Sequence, residues 1–267
     1  MKEKSEIKIT IAGICSLIKS YDKEFISWLK KRYSLFLSEK NPDIVIDVEI
    51  KDKIRNESTE FQIVNKKNQV FIEDRGFKGS INLNKKSGEL LLKKSHIGNF
   101  GMFFRACYSL LLISYKGFLI HAAGIIHNNN GYVFTGRSGS GKSTVAKLSN
   151  TEDFTILSDE LVFVKKVEDK YRVFGTPFIG EIEKCKDANA ELKGIFILKK
   201  DKILKFQKIT GSYAVLKLLS TVIFCSNNPV ITQMLFTTVC DLLEKVPCYE
   251  MYFPKNKSFW KGVYSIC

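Results

Sequence analysis

The segment Gly136-Arg137-Ser138-Gly139-Ser140-Gly141-Lys142-Ser143 carries the clearest chemistry in this chain. It fits G-x-x-x-x-G-K-[ST], the pattern of a phosphate-binding loop. Gly136, Gly139 and Gly141 let the backbone curl, with Ser138 and Ser140 between them, so that successive N–H groups point at phosphate oxygens. Lys142 can reach the β- and γ-phosphates of a nucleotide, and the Ser143 hydroxyl can bind Mg²⁺. Thr144 then begins a helical segment whose positive end would face the anion. An apolar strand over 132–135 precedes the loop and a helix over 144–148 follows it. That context tells against a glycine-rich turn that binds nothing.

A second acidic element follows. The strand expected over 154–157 ends in Ser158-Asp159-Glu160. Two neighbouring carboxylates beside a phosphate loop can divide the work. One can hold Mg²⁺, directly or through water, and the other can accept a proton from an attacking hydroxyl. Alone, such a pair reads as ordinary acids at a strand end; after a phosphate loop it reads as functional.

Two parts must position these groups. Over residues 1–95 the pattern predicts a small α+β module. It has a strand at 7–11, an amphipathic helix over 22–37 with Phe25, Trp28, Leu29, Tyr33 and Phe36 on one side, and an alternating strand over 44–50. Short strands are expected at 61–64, 70–73, 80–83 and 89–92. The aromatic stripe reads as core. Residues 96–267 form the second part. An apolar helix over 100–115 leads into a strand over 118–126, and Asn128-Asn129-Asn130-Gly131 marks a hairpin turn. Further helical segments are expected over 213–225 and 229–244, with no substrate role.

Composition bounds the function classes. The chain has 267 residues, 45% of them hydrophobic, with 20 Phe and 10 Tyr, which suits a packed core. The formal net charge is +14, but the basic residues are scattered, which reads as a lysine-rich surface. No helix-turn-helix, zinc or aromatic-basic motif points to nucleic acid, so none is expected as a partner. The seven cysteines and three histidines show no metal-ligand spacing. The apolar stretch at 9–14 is too short for a secretory signal, and the expected location is the cytoplasm. The stretch over 100–115, interrupted by Arg105, is shorter than the roughly 20 residues a bilayer requires and reads as a buried helix, not a membrane span.

The stretch 117–165 resembles the catalytic domain of HPr kinase/phosphorylase, a group similar to phosphoenolpyruvate carboxykinase at its nucleotide site. The likeness is carried by Ile120-His121-Ala122-Ala123-Gly124, the loop at 136–144, and Leu157-Ser158-Asp159-Glu160. Phe174-Gly175-Thr176-Pro177-Phe178-Ile179-Gly180-Glu181 and Val246-Pro247-Cys248-Tyr249-Glu250-Met251-Tyr252-Phe253 resemble segments of HPr-kinase-like proteins encoded near peptide-modification genes. The resemblance implies an α/β fold, with a P-loop kinase domain of that type joined to a small N-terminal α+β module. It implies ATP and Mg²⁺ as cofactors, with Asp159 as the base, Glu160 at the metal or orienting its neighbours, and His121 near the phosphates. Read without it, His121 would be a core histidine on an apolar strand.

Two departures bear on the acceptor. Thr144 follows Ser143 where HPr kinases carry Glu, and the Glu-Val-Arg-Gly-Leu-Gly signature of those enzymes is absent. Both point away from HPr itself and from phosphorylase activity or hexameric assembly. The expected function is transfer of the γ-phosphoryl of ATP to a Ser/Thr hydroxyl of a peptide or protein, in a chain that could form another oligomer. A P-loop ATPase or nucleotide-gated regulator without an acceptor is the alternative.

Overall fold

Asp22 opens the first helix because its carboxylate accepts the Phe25 N–H at 2.8 Å, a side-chain cap at the helix start. The computed structural model describes residues 3–55, 58–66, 69–254 and 256–267. Two compact units are present, one of Met1–Leu111 with Phe224–Thr232 and one of Leu112–Ile223 with Gln233–Cys267. The fold is mixed α/β with two sheets.

In the first unit the chain runs β1 (Ser5–Ile11), β2 (Ile14–Ser20), α1 (Lys23–Arg32), β3 (Ile44–Lys51), β4 (Gln62–Lys66), β5 (Gln69–Asp74), β6 (Phe77–Asn82) and β7 (Ser87–Lys93). These strands form one seven-stranded sheet in the order β1-β2-β3-β7-β6-β5-β4. Helix α1 is the crossover between the parallel neighbours β2 and β3. The helix predicted over 22–37 stops earlier, at Arg32. Its continuation, Ser34–Phe36, is a 3₁₀ turn that still buries Phe36. Strand β2 carries no strand pattern in the sequence, and β6 overlaps the expected 80–83 segment but begins three residues before it.

Helix α2 (Phe100–Ser114) supplies the aromatic part of this unit's core. Phe100, Phe103, Phe104 and Tyr108 are fully buried. Phe100 meets Phe25 edge-on at 5.5 Å, and Phe104 meets Tyr33 at 5.6 Å. The stripe on α1 is therefore core. The stretch Lys94–Ser114 is long and apolar enough to cross a membrane, with mean hydropathy 1.3, but 61% of it is buried inside the protein. Its tyrosine is tied to the sheet, Tyr108 donating to the Ile14 carbonyl at 2.9 Å.

In the second unit the order is β8 (Gly117–His127), β9 (Asn130–Thr135), α3 (Lys142–Leu148), β10 (Phe154–Ser158), β11 (Leu161–Val167), β12 (Lys170–Phe174), β13 (Asn189–Lys200), β14 (Lys205–Ile209), α4 (Gly211–Leu219), β15 (Val222–Ile223), α5 (Pro229–Lys245), β16 (Cys248–Phe253) and α6 (Phe259–Ile266). Nine strands share one sheet. Strand β8 is the hub, pairing antiparallel with β9, β10, β11 and β15. Parallel pairs of β13 with β9 and β16 extend the sheet. The helix expected over 213–225 ends at Leu219, and Val222–Ile223 instead adds to β8. The core behind the phosphate loop contains Phe134, Val145, Phe196, Met251, Phe253, Phe259 and Trp260.

Candidate active site

The hairpin β8–β9 sets the loop in place. His127 pairs with Asn130, and the two residues between them, Asn128 and Asn129, have φ of 48° and 62°. Such a two-residue turn needs positive φ at both positions, which asparagine tolerates. Strand β9 then runs buried between β8 and β13 and delivers Gly136 at the sheet's end. Gly139 and Gly141, at φ 73° and 112°, hold left-handed conformations that an L side chain would strain. Beyond the loop, α3 buries Val145 and Ala146, and Ser149 at its end receives the Trp260 Nε1–H at 2.9 Å.

Lys142 is only 6% exposed. Its ammonium donates to the carbonyls of Gly136 at 3.2 Å and Arg137 at 3.4 Å, so it lies folded along the loop it belongs to. Burial pulls its pKa down, and the Glu160 carboxylate opposes that pull. Ser143 and Thr144 follow at the rim of the same cleft.

The acids arrive from the neighbouring strands. Register pairs Leu161 with His121, which brings the residue before Leu161 beside β8. The Ala122 N–H donates to the Glu160 carbonyl at 3.1 Å, and His121 Nε2 lies 3.5 Å from Glu160 Oε2. Both side chains are about one-third exposed, at 35% each. Asp159 differs, with 2% exposure. Its Oδ2 accepts the Ile182 N–H at 3.4 Å, while its buried Oδ1 has no partner among the described residues. A buried carboxylate oxygen left without a donor is costly.

Residues 175–188, between β12 and β13, close this side of the site. Ser158 donates to the Phe178 carbonyl at 2.8 Å and receives the Glu160 N–H at 3.1 Å. Gly180 lies against Asp159, where a Cβ would sit 2.6 Å from Oδ1 and 3.0 Å from Oδ2. Only glycine lets the backbone approach the carboxylate so closely.

Together these residues line a cleft of about 280 Å³. Lys142, Lys147 and Lys200 face Asp159, Glu160 and Glu181 within it, so the formal charges cancel. Of the residues expected from sequence, His121, Ser138, Gly139, Gly141, Lys142, Ser143, Thr144, Asp159 and Glu160 all line it. Gly136 and Ser140 shape the loop from behind, where the Ser140 hydroxyl is buried with no partner among the described residues. Lys147, Lys200, Gly180 and Glu181 were not singled out for roles. Lys147 looked like any polar helix residue, and it pairs with Glu181 across the rim at 3.2 Å. Lys200 reaches the cleft only because β13 runs parallel to β9, a tertiary fact.

The donor set suits a metal bound through few protein groups. Among the described residues, no three His, Cys, Asp or Glu side chains converge as metal ligands. Ser143 and Glu160 lie in one cleft and could contribute one oxygen each, as Mg²⁺ sites that keep waters and phosphate oxygens require.

No protein-family model matches the chain, and no curated protein matches it. Among solved structures it is similar to the HPr(Ser) kinase/phosphatase from Coxiella burnetii, at 12% identity over 46% of this chain and 87% of that one, with a TM-score of 0.28. A score of that size does not place this chain in that family.

Proposed function

We propose that this chain is an ATP-dependent kinase whose cleft transfers the γ-phosphoryl group of Mg-ATP to a serine or threonine hydroxyl of a peptide or protein. The supporting observation is Asp159: a buried carboxylate with an unpartnered oxygen, in one cleft with a phosphate-loop lysine and serine. A hydroxyl donating to Oδ1 would give that buried oxygen a partner, and Asp159 would take its proton as the new P–O bond forms and the bond to the ADP leaving group breaks. Lys142 would exchange its loop carbonyls for phosphate oxygens, and the loop N–H groups would hold the rest. Mg²⁺, held by Ser143 and Glu160, would supply positive charge against the phosphates. His121 would orient Glu160. Asp159 is within 3 Å of the position a Gly180 side chain would occupy, so the strap at 175–188 fixes its orientation.

The deciding experiment measures phosphoryl transfer from labelled Mg-ATP to serine peptides, alongside ATP hydrolysis. Transfer supports the kinase. Hydrolysis with no acceptor phosphorylated under any peptide condition would instead favour a P-loop ATPase or nucleotide-gated regulator.

Two further outcomes follow. Gly180→Ala forces a methyl onto the Asp159 carboxylate, an overpacking that costs about 1–3 kcal/mol. We expect transfer to fall more than tenfold, on the order of the loss for a mispositioned base, with nucleotide affinity nearly unchanged. Calorimetric titration beside rate measurement checks this, and a loss confined to ATP affinity would contradict it. The net charge of +14 is expected to give only weak duplex DNA binding that vanishes by about 0.15 M salt. Fluorescence anisotropy across a salt series reads this directly, and tight sequence-selective binding at that salt would show a nucleic-acid function.

A further inference from the structure

Two lysines end β13, and the pleat sends them to opposite faces. Lys199 goes to the face that holds Glu250, with its ammonium 3.6 Å from that carboxylate. Lys200 shares the other face with Phe196 and Leu198, which belong to the core behind the phosphate loop. Register places Lys200 opposite Phe253 on β16, and the Phe253 ring lies 3.0 Å from where a Gly141 Cβ would be. The Leu198 carbonyl stands 3.3 Å from the corresponding position at Gly136. The end of β13 therefore runs alongside the loop. Lys200 lines the cleft as an exposed side chain, with no ion-pair partner among the described residues.

The charge balance of the cleft depends on this residue. Lys147 and Glu181 neutralise one another at 3.2 Å. With that pair set aside, Lys142 alone faces Asp159 and Glu160, one lysine against two carboxylates. Phosphates would then enter a site whose side chains repel them, and Lys200 is the lining side chain that corrects this. Its side of the loop matters as well. Strand β9 lies between β8 and β13. Asp159 comes from the connection between β10 and β11, both partners of β8, whereas Lys200 comes from β13. The two therefore flank the loop from opposite sides. In an in-line transfer the attacking and leaving oxygens also stand on opposite sides of the phosphorus.

We propose that Lys200 binds the β-phosphate of the nucleotide and stabilises the departing diphosphate, on the side opposite the base Asp159. The acceptor oxygen bonds to the γ-phosphorus and gives its proton to Asp159. The bond from that phosphorus to the β–γ bridging oxygen breaks, and its electron pair stays on ADP. The Lys200 ammonium donates hydrogen bonds to that growing charge and transfers no proton. Lys142 belongs to the loop itself; Lys200 adds a cation from a separate strand. The role in transfer rests on the kinase reading, while the contact with the β-phosphate requires only that the loop is the nucleotide site.

The test compares Lys200→Gln and Lys200→Arg with Lys202→Gln, which removes the same charge from an exposed lysine outside the cleft. The full chain is titrated calorimetrically with ATP and with ADP, in Mg²⁺ and at about 0.15 M salt, where long-range effects of net charge are largely screened. Lys200→Gln should weaken both nucleotides about tenfold, the loss expected for one hydrogen bond to a charged group. Lys200→Arg should recover most of that affinity, and Lys202→Gln should match wild type. Transfer to a serine peptide at saturating ATP should fall at least tenfold in Lys200→Gln. Circular dichroism confirms that each variant folds. Wild-type ADP affinity in Lys200→Gln, a loss confined to ATP, or an equal loss in Lys202→Gln overturns the β-phosphate contact. An unchanged rate at saturating ATP overturns the leaving-group role. If the wild-type chain phosphorylates no peptide while Lys200→Gln still loses ADP, the kinase reading fails and the phosphate contact stands.

Discussion

Asp159→Asn is expected to cut phosphoryl transfer by a factor on the order of 10²–10⁴ while leaving Mg-ATP affinity within a few-fold of wild type. An attacking hydroxyl has a pKa far above neutrality and needs an acceptor for its proton as it attacks. Asn keeps the size of Asp159, and its one carbonyl oxygen is claimed by the Ile182 N–H that now reaches Oδ2 at 3.4 Å. The amide nitrogen must then occupy the place of the unpartnered Oδ1. A donor thus replaces an acceptor where the hydroxyl would sit. Quench-flow measurement of transfer, with calorimetry for the nucleotide, separates the outcomes. A wild-type rate in the variant would move the base elsewhere, and a joint loss of ATP binding would make Asp159 chiefly a metal ligand. Glu160→Gln should instead shift the Mg²⁺ concentration needed.

Lys142→Ala should weaken ATP binding roughly ten- to hundredfold, since a hydrogen bond to a charged partner contributes about 1.5–3 kcal/mol and each 1.4 kcal/mol is about tenfold. The lysine is buried against the carbonyls of Gly136 and Arg137. Its removal therefore also frees the loop, and the loss should appear in affinity before it appears in rate. Competition with a fluorescent nucleotide measures it, and unchanged affinity would exclude the loop as the nucleotide site. Thermal melting is the control for the loop's own stability.

Which residues line the cleft was more legible than the framework around it, for physical reasons. Loop chemistry depends on residues adjacent in sequence, so Gly136 through Thr144 could be read directly. The Asp159–Glu160 pair followed because a strand end keeps its neighbours together. Gly180 and Lys200 reach the cleft by approach across space, and no local pattern announces that. Strand β2 escaped because it is buried on both faces, with no period-2 alternation, and its turn uses Ala12 at φ 51° in place of an asparagine. The helix over 22–37 was overextended because Tyr33 and Phe36 are three residues apart, a spacing that a 3₁₀ turn satisfies as well as an α-helix does. Hydrophobic spacing alone cannot distinguish the two.

The position of β8 has a consequence for how the second unit opens. A strand hydrogen-bonded to β9, β10, β11 and β15 cannot exchange its amides without breaking several ladders at once. The His121 wall of the cleft should therefore exchange in D₂O only with global unfolding. Residues 175–188 form no strand; they are held by Ser158 and Asp159, by Thr176 on the Leu161 carbonyl and by the Lys186 N–H on the Leu157 carbonyl, fewer backbone bonds than β8 makes. The cleft thus has one wall in the sheet's ladders and one held mainly by side-chain bonds. Deuterium uptake should be fastest in the strap and slowest in β8, and a tightly bound ligand should slow the strap first.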